Sequence, residues 1–173
     1  MANKEALREL QTRLARRLQG AREQSDTAAS WLAVECAGQG FLLPLAQAGE
    51  IFPWTSVVPV PHARNWFLGV ANLRGRLHGV IDLAGFFGLR SADPVRDPVR
   101  MVAFNPALGI NAALLVERLA GLRSSEQLKP SAHDNDSRPA FVGGCYADPQ
   151  GRVWHELQLA TLAEDEMFLR IAH

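Results

Sequence analysis

The sequence predicts an all-β protein preceded by one amphipathic helix. Three observations carry that prediction. Beyond residue 30 the apolar runs are short, they are separated by glycine or proline at regular intervals, and few segments between them are long enough for a crossover helix. Short, evenly punctuated strands favour small closed or sandwiched β units over alternating strand and helix layers.

The elements follow in order. From Lys4 to Gln24 the residues Leu7, Leu10, Leu14, Leu18 and Ala21 recur every three or four positions without a proline, the period of a helix with one apolar stripe. Its polar side carries Lys4, Arg8, Arg13, Arg16, Arg17 and Arg22 against Glu5, Glu9 and Glu23, a surface able to meet an acidic partner or a membrane. The plainer reading is a solvated helix folded onto the body. Gln24 to Ser30 is small and polar and reads as a linker, so residues 1–27 form helix plus linker and residues 28–173 the β body.

Strands are expected over Trp31–Ala37, Phe41–Leu45, Val57–Val60, Gly69–Leu73, Leu77–Leu83, Met101–Phe104, Asn111–Val116, Phe141–Tyr146 and Arg152–Leu157. Gly38-Gln39-Gly40 joins the first two as a hairpin. Ser91–Pro98 and Ser124–Pro139 are polar, proline-bearing loops. Leu157 to Ile171 reads as a closing helix, with Leu159, Leu162, Met167, Phe168 and Ile171 on its apolar side.

Composition excludes several functions. Lys plus Arg and Asp plus Glu each number 18 in 173 residues, so no overall positive field attracts a nucleic-acid backbone. No apolar stretch approaches the ~20 residues that span a bilayer, so a cytoplasmic protein without direct membrane insertion is expected. Cys36 and Cys145 have no CxxC spacing and read as buried, reduced thiols. Chemistry-bearing motifs are scarce: no phosphate-binding glycine loop, kinase signature or GxSxG elbow occurs. Asp134 and Asp136 begin like a calcium loop but lack its glycine and distal glutamate, and His62, His78, His133 and His173 show no ligand spacing and read as surface or loop residues, so no metal and no cofactor are expected. The one nucleophile candidate is Cys145 with His155 as base, on two strands of a hairpin that could bring them near each other, without a recognisable third group or oxyanion site.

The run Gly69-Val70-Ala71-Asn72-Leu73-Arg74-Gly75, followed by Val80-Ile81-Asp82-Leu83 and Gly88, resembles the central signature of the CheW family of chemotaxis coupling proteins. Phe41-Leu42-Leu43-Pro44-Leu45, Glu50-Ile51, Val58-Pro59, Leu114-Leu115-Val116-Glu117, Leu128-Lys129-Pro130 and Val142-Gly143-Gly144 fall in the family's order, so the resemblance runs from residue 31 to residue 165. Two departures stand out: Gly79 replaces the usual proline, a change expected to loosen the unfolded chain and cost up to ~1 kcal/mol of stability, and Glu117 replaces the usual aspartate. Trp66, Arg74-Gly75-Arg76-Leu77, Gly85-Phe86-Phe87-Gly88 and the basic helix look closest to the subgroup serving type IV pili and twitching motility.

The resemblance implies two packed five-stranded SH3-like β-barrels with an apolar groove between them. It also implies a non-catalytic adaptor joining a methyl-accepting chemoreceptor's cytoplasmic tip to the regulatory barrel domain of a chemotaxis histidine kinase, in the cytoplasm beside membrane receptor arrays. The partner-binding residues it points to are Glu50, Val57, Val58, Asn72, Leu73, Arg74 and Gly75, with Ile51 and Val60 extending the apolar patch and Glu50 paired to Arg74. Asn72 and Gly75 are expected to shape a turn, and Asp82 to serve the fold. Competing readings are a thiol-dependent hydrolase built on Cys145 and His155, and a standalone SH3-like peptide binder.

Overall fold

The structure, a computed structural model, describes residues 9, 11–16, 30–89, 99–132 and 137–173. Residues 9 and 11–16 are helical, within the predicted Lys4–Gln24 helix. The rest of that helix, the Ser91–Pro98 loop and the His133–Asp136 cluster lie outside the described residues.

Among the described residues, eleven strands form two sheets. The first contains β1 (Ser30–Cys36), β2 (Gln39–Pro44), β8 (Arg118–Ser124), β9 (Lys129–Pro130), β10 (Val142–Ala147) and β11 (Val153–Leu157), in the order β8-β1-β2-β11-β10-β9. The second contains β3 (Ala48–Pro53), β4 (Phe67–Leu73), β5 (Arg76–Asp82), β6 (Arg100–Phe104) and β7 (Ala112–Val116), in the order β3-β6-β7-β5-β4. Neighbours are antiparallel except β11 with β2 and β5 with β7. The first sheet has six strands, one more than expected, because two residues of the 124–139 connection pair with Tyr146 and Ala147.

Alternation along the strands explains why the apolar runs are nearly unbroken. In β1, Trp31 and Ala33 face an inner core with Leu42, Leu128 and Trp154, while Leu32, Val34 and Cys36 face the opposite way. In the second sheet Leu73, Val80, Met101, Ala103, Ala113 and Leu115 enclose a separate inner core, while Ile81, Val102, Phe104, Leu114 and Val116 face out of it. The outward rows of both sheets meet in one shared core, so the central strands are buried on both faces and read as continuous hydrophobic stretches. Aromatic rings complete that junction. Phe86, on α1 (Leu83–Phe86), packs edge-on against Trp66 at 5.0 Å and Phe168 at 5.6 Å, Phe87 stacks on Phe41 at 5.2 Å, and Phe168 stacks on Phe104 at 5.8 Å.

The second sheet is closed by backbone contact outside the named strands. Val58 N–H donates to the Val70 carbonyl at 2.8 Å and Val70 N–H donates back at 2.9 Å, bringing the segment after β3 onto β4. A Cβ at position 69 would lie 2.1 Å from the Val58 carbonyl oxygen, and Gly69 has φ +135°, so only glycine allows this approach. The predicted strand over Val57–Val60 is thus a single bridge.

Other boundaries differ from expectation for local reasons. The first hairpin turns at Ala37-Gly38, one residue earlier than the glycine pattern suggests, with Cys36 opposite Gln39. Strands β3 and β8 were not expected, because neither Ala48–Pro53 nor Arg118–Ser124 contains a fully buried residue to mark an apolar run. The closing helix is two short ones, α2 (Leu159–Leu162) and α3 (Glu166–Leu169). Asp165 restarts the chain: its carboxylate accepts from the N–H groups of Met167 at 2.9 Å and Phe168 at 3.1 Å, an N-cap in mid-sequence. The restart buries Phe168 but turns Met167 outward at 71% exposure, off the expected apolar side.

Candidate partner-binding site

The expected site residues converge on the tip of the β4–β5 hairpin and the adjacent strand edge. Leu73 opposite Arg76 is the last pair, leaving a two-residue loop of Arg74 at φ +50° and Gly75 at φ +76°. Two positive φ values are what a tight turn matched to strand twist requires. Asn72 Oδ1 accepts from Gly75 N–H at 2.8 Å, so Asn72 and Gly75 shape the turn as their chemistry suggests.

Arg74 reaches from this tip to Glu50, Nη2 to Oε1 at 2.8 Å. Glu50 is on β3 and Arg74 follows β4, the two outer strands of the second sheet, so the pair spans the seam that the Val58–Val70 bridge closes. Both side chains are open to water, at 76% for Arg74 and 44% for Glu50. Ile51 beside Glu50 on β3, Leu77 opposite Asn72 across the hairpin and Val58 bridged to Val70 are exposed, as are Trp54 and Val60 in the segment after β3. An exposed cation with an apolar surround is the surface composition of a protein contact.

Two of the expected contact residues face inward. Leu73 is 3% exposed and belongs to the inner core of the second sheet, and half-buried Val57 packs against that core. They hold the tip in place instead of presenting a surface. Leu77 and Trp54 were not expected at the site. Leu77 was legible in principle, because a two-residue hairpin places it directly opposite exposed Asn72.

Asp82, just before α1, is buried. Its N–H donates to the Trp66 carbonyl at 2.8 Å, and its Oδ1 has no hydrogen-bond partner among the described residues. His78, expected on the surface or in a loop, is buried on β5 with Nδ1 3.1 Å from the Arg76 carbonyl oxygen.

A second polar cluster had no signal in the sequence. Glu35 on β1 accepts from Arg118 Nε at 2.7 Å and Nη2 at 2.6 Å, and also from Arg152, whose guanidinium lies 4.6 Å from the Trp154 ring centre. The Arg118 hydrogen bonds hold the Glu35 carboxyl below the usual carboxylate range, partly opposed by burial and reinforced by Arg152. These charges tie β1, β8 and the start of β11 together.

Cys145 and His155 are directly opposite each other on β10 and β11. Burial pushes the Cys145 thiol up, which keeps it protonated, the reverse of what a nucleophile requires. Among the described residues, no group of three or more His, Cys, Asp or Glu is placed to hold a metal ion, and no helix is long and apolar enough to cross a membrane.

The sequence pattern of the CheW-like domain matches residues 30–167, most of the chain and both sheets. The chain belongs to the CheW-like domain family. Relatives are consistent with that membership. Protein PilI of Pseudomonas aeruginosa is 29% identical over 157 residues, covering 86% of this chain and 84% of that protein. A probable chemotaxis protein CheW of Rhizobium etli is 38% identical over 72 residues, covering 42% of this chain and 46% of that one. In three dimensions the CheW fold is shared with the scaffolding protein TtCheW of Thermoanaerobacter tengcongensis, with a TM-score of 0.64, 20% identity, and coverage of 76% of this chain and 89% of that one.

Proposed function

We propose that this chain is a non-catalytic coupling protein that holds a methyl-accepting chemoreceptor and a chemotaxis histidine kinase together in a type IV pilus motility pathway. Membership of the CheW-like family and the likeness to PilI and CheW proteins support the coupling role and its chemotaxis and pilus setting. The kinase's regulatory barrel domain and the receptor's cytoplasmic tip are the partners this reading assigns, with the protein working in the cytoplasm beside the receptor array. The single observation that carries it is Arg74: a long cation held at a left-handed backbone position, 76% exposed, on an apolar rim with Glu50, Ile51, Val58 and Leu77. Backbone strain retained at an exposed tip points to use of that tip.

The test is affinity for the kinase regulatory domain, measured by calorimetry on wild type and Arg74→Ala. An arginine anchoring an interface contributes about 2 kcal/mol or more, so binding should weaken ~30-fold or more. An exposed ion pair contributes only ~0–1 kcal/mol, so the melting temperature should barely move. Unchanged affinity, or a loss of stability that accounts for the loss of binding, refutes the assignment.

A further inference from the structure

Between the segment entering β4 and α3 the chain leaves a cleft that the coupling role does not use. It measures about 110 Å³ and is lined by Arg64, Trp66, Glu166, Met167 and Arg170. Trp66 and Arg74 stand just beyond opposite ends of β4, roughly 25 Å apart at ~3.3 Å per residue, so the cleft is separate from the hairpin tip.

The last residues of the chain build its walls. Arg64 N–H donates to the Ile171 carbonyl at 2.7 Å, Arg64 Nε donates to the Arg170 carbonyl at 2.8 Å, and Ala63 bridges to Ala172. These bonds fix Arg64 at backbone and side chain alike, and leave its two terminal nitrogens without a partner among the described residues. Trp66 is fixed by Phe168, stacked at 6.3 Å, and by Phe86, edge-on at 5.0 Å. The Asp165 cap sets the start of α3 and with it the position of Glu166 and Met167.

Charge in the cleft is unmatched in an informative way. Glu166 lines the same walls as Arg64 and Arg170, yet none of the three forms an ion pair with any described residue. Two cations and one anion that share a small cavity without satisfying each other suit a guest that carries both signs. A carboxylate matches guanidinium groups, which donate in a planar fork, and an ammonium matches the Glu166 carboxylate. Trp66 and the exposed Met167 offer apolar contact to a short side chain. A bare anion is a poorer guest, because Glu166 repels it. Drug-sized ligands are excluded by volume, since they take ~300 Å³ or more.

We infer that this cleft binds a small α-amino acid, with its carboxylate toward Arg64 and Arg170 and its ammonium toward Glu166. The experiment titrates the full-length, isotope-labelled chain and follows the Trp66 indole N–H by NMR. The probes are L-valine, isovalerate, which lacks the ammonium, and valinamide, which lacks the carboxylate. L-Valine should shift the signal saturably, and each single-charge compound should bind about tenfold or more weakly. Glu166→Gln and Arg170→Gln remove exposed side chains and leave the Arg170 carbonyl that holds Arg64 in place. Each should weaken L-valine about tenfold or more with the melting temperature unchanged, while Glu166→Gln leaves isovalerate bound no more weakly. The inference is overturned if L-valine gives no saturable shift below ~10 mM, or if isovalerate binds as tightly as L-valine. It is equally overturned if either variant keeps wild-type affinity, or loses affinity only in step with its melting temperature.

Discussion

Arg74 sits where asparagine or glycine would be more comfortable. A left-handed backbone at a residue with a Cβ costs about 1–2 kcal/mol, and the solvent-exposed pair with Glu50 returns at most ~1 kcal/mol. Arg74→Asn should therefore raise the free energy of unfolding by ~1 kcal/mol in urea titrations while removing the guanidinium. A variant no more stable than wild type would remove the argument that the arginine is kept for a contact. At this scale the sequence was informative where a residue acts locally. Asn72 and Gly75 announce their turn, and the resemblance placed Glu50 beside Arg74. Leu73 was harder, because neighbours along a strand point to opposite faces and only the closed sheet shows which face is inside. Glu35 was not legible at all: its partners lie 83 and 117 residues away in the chain.

Among the elements, β5 shows how a neighbour changes the meaning of a residue. Read alone, Gly79 in place of proline is a loss of rigidity. In the sheet its N–H donates to the Asn111 carbonyl at 3.0 Å, and a Cβ there would stand 2.9 Å from the Phe67 ring. Gly79→Pro should consequently destabilise the protein by about 2–3 kcal/mol, through the lost bond and the displaced ring, and a higher melting temperature would contradict this packing account. The elements read correctly from sequence were those with one dominant signal, such as the buried runs of β1, β2, β6 and β7. Those missed were ruled by pairing. β3 and β8 are held by their neighbours, and the closing helix breaks because Asp165 offers a better local cap than continuation does.

Across the whole molecule, the two sheets depend on each other through their shared core. Phe168 is 3% exposed and packs against Phe86, Phe104 and Trp66. Phe168→Ala should cost about 3–5 kcal/mol, and loss of tryptophan fluorescence should coincide with loss of far-UV circular dichroism in a single unfolding transition. Two separated transitions would show that the sheets fold independently. The double burial of the central strands also bears on descent. With no free face on β1, β2, β6 or β7, most substitutions there disturb one of two interiors, which leaves hairpin tips and outer strands as the places where change is tolerated. Those are the same places where the proposed partner contacts lie, so on that reading a lineage built on this plan can exchange partners by altering its rim while its frame stays put.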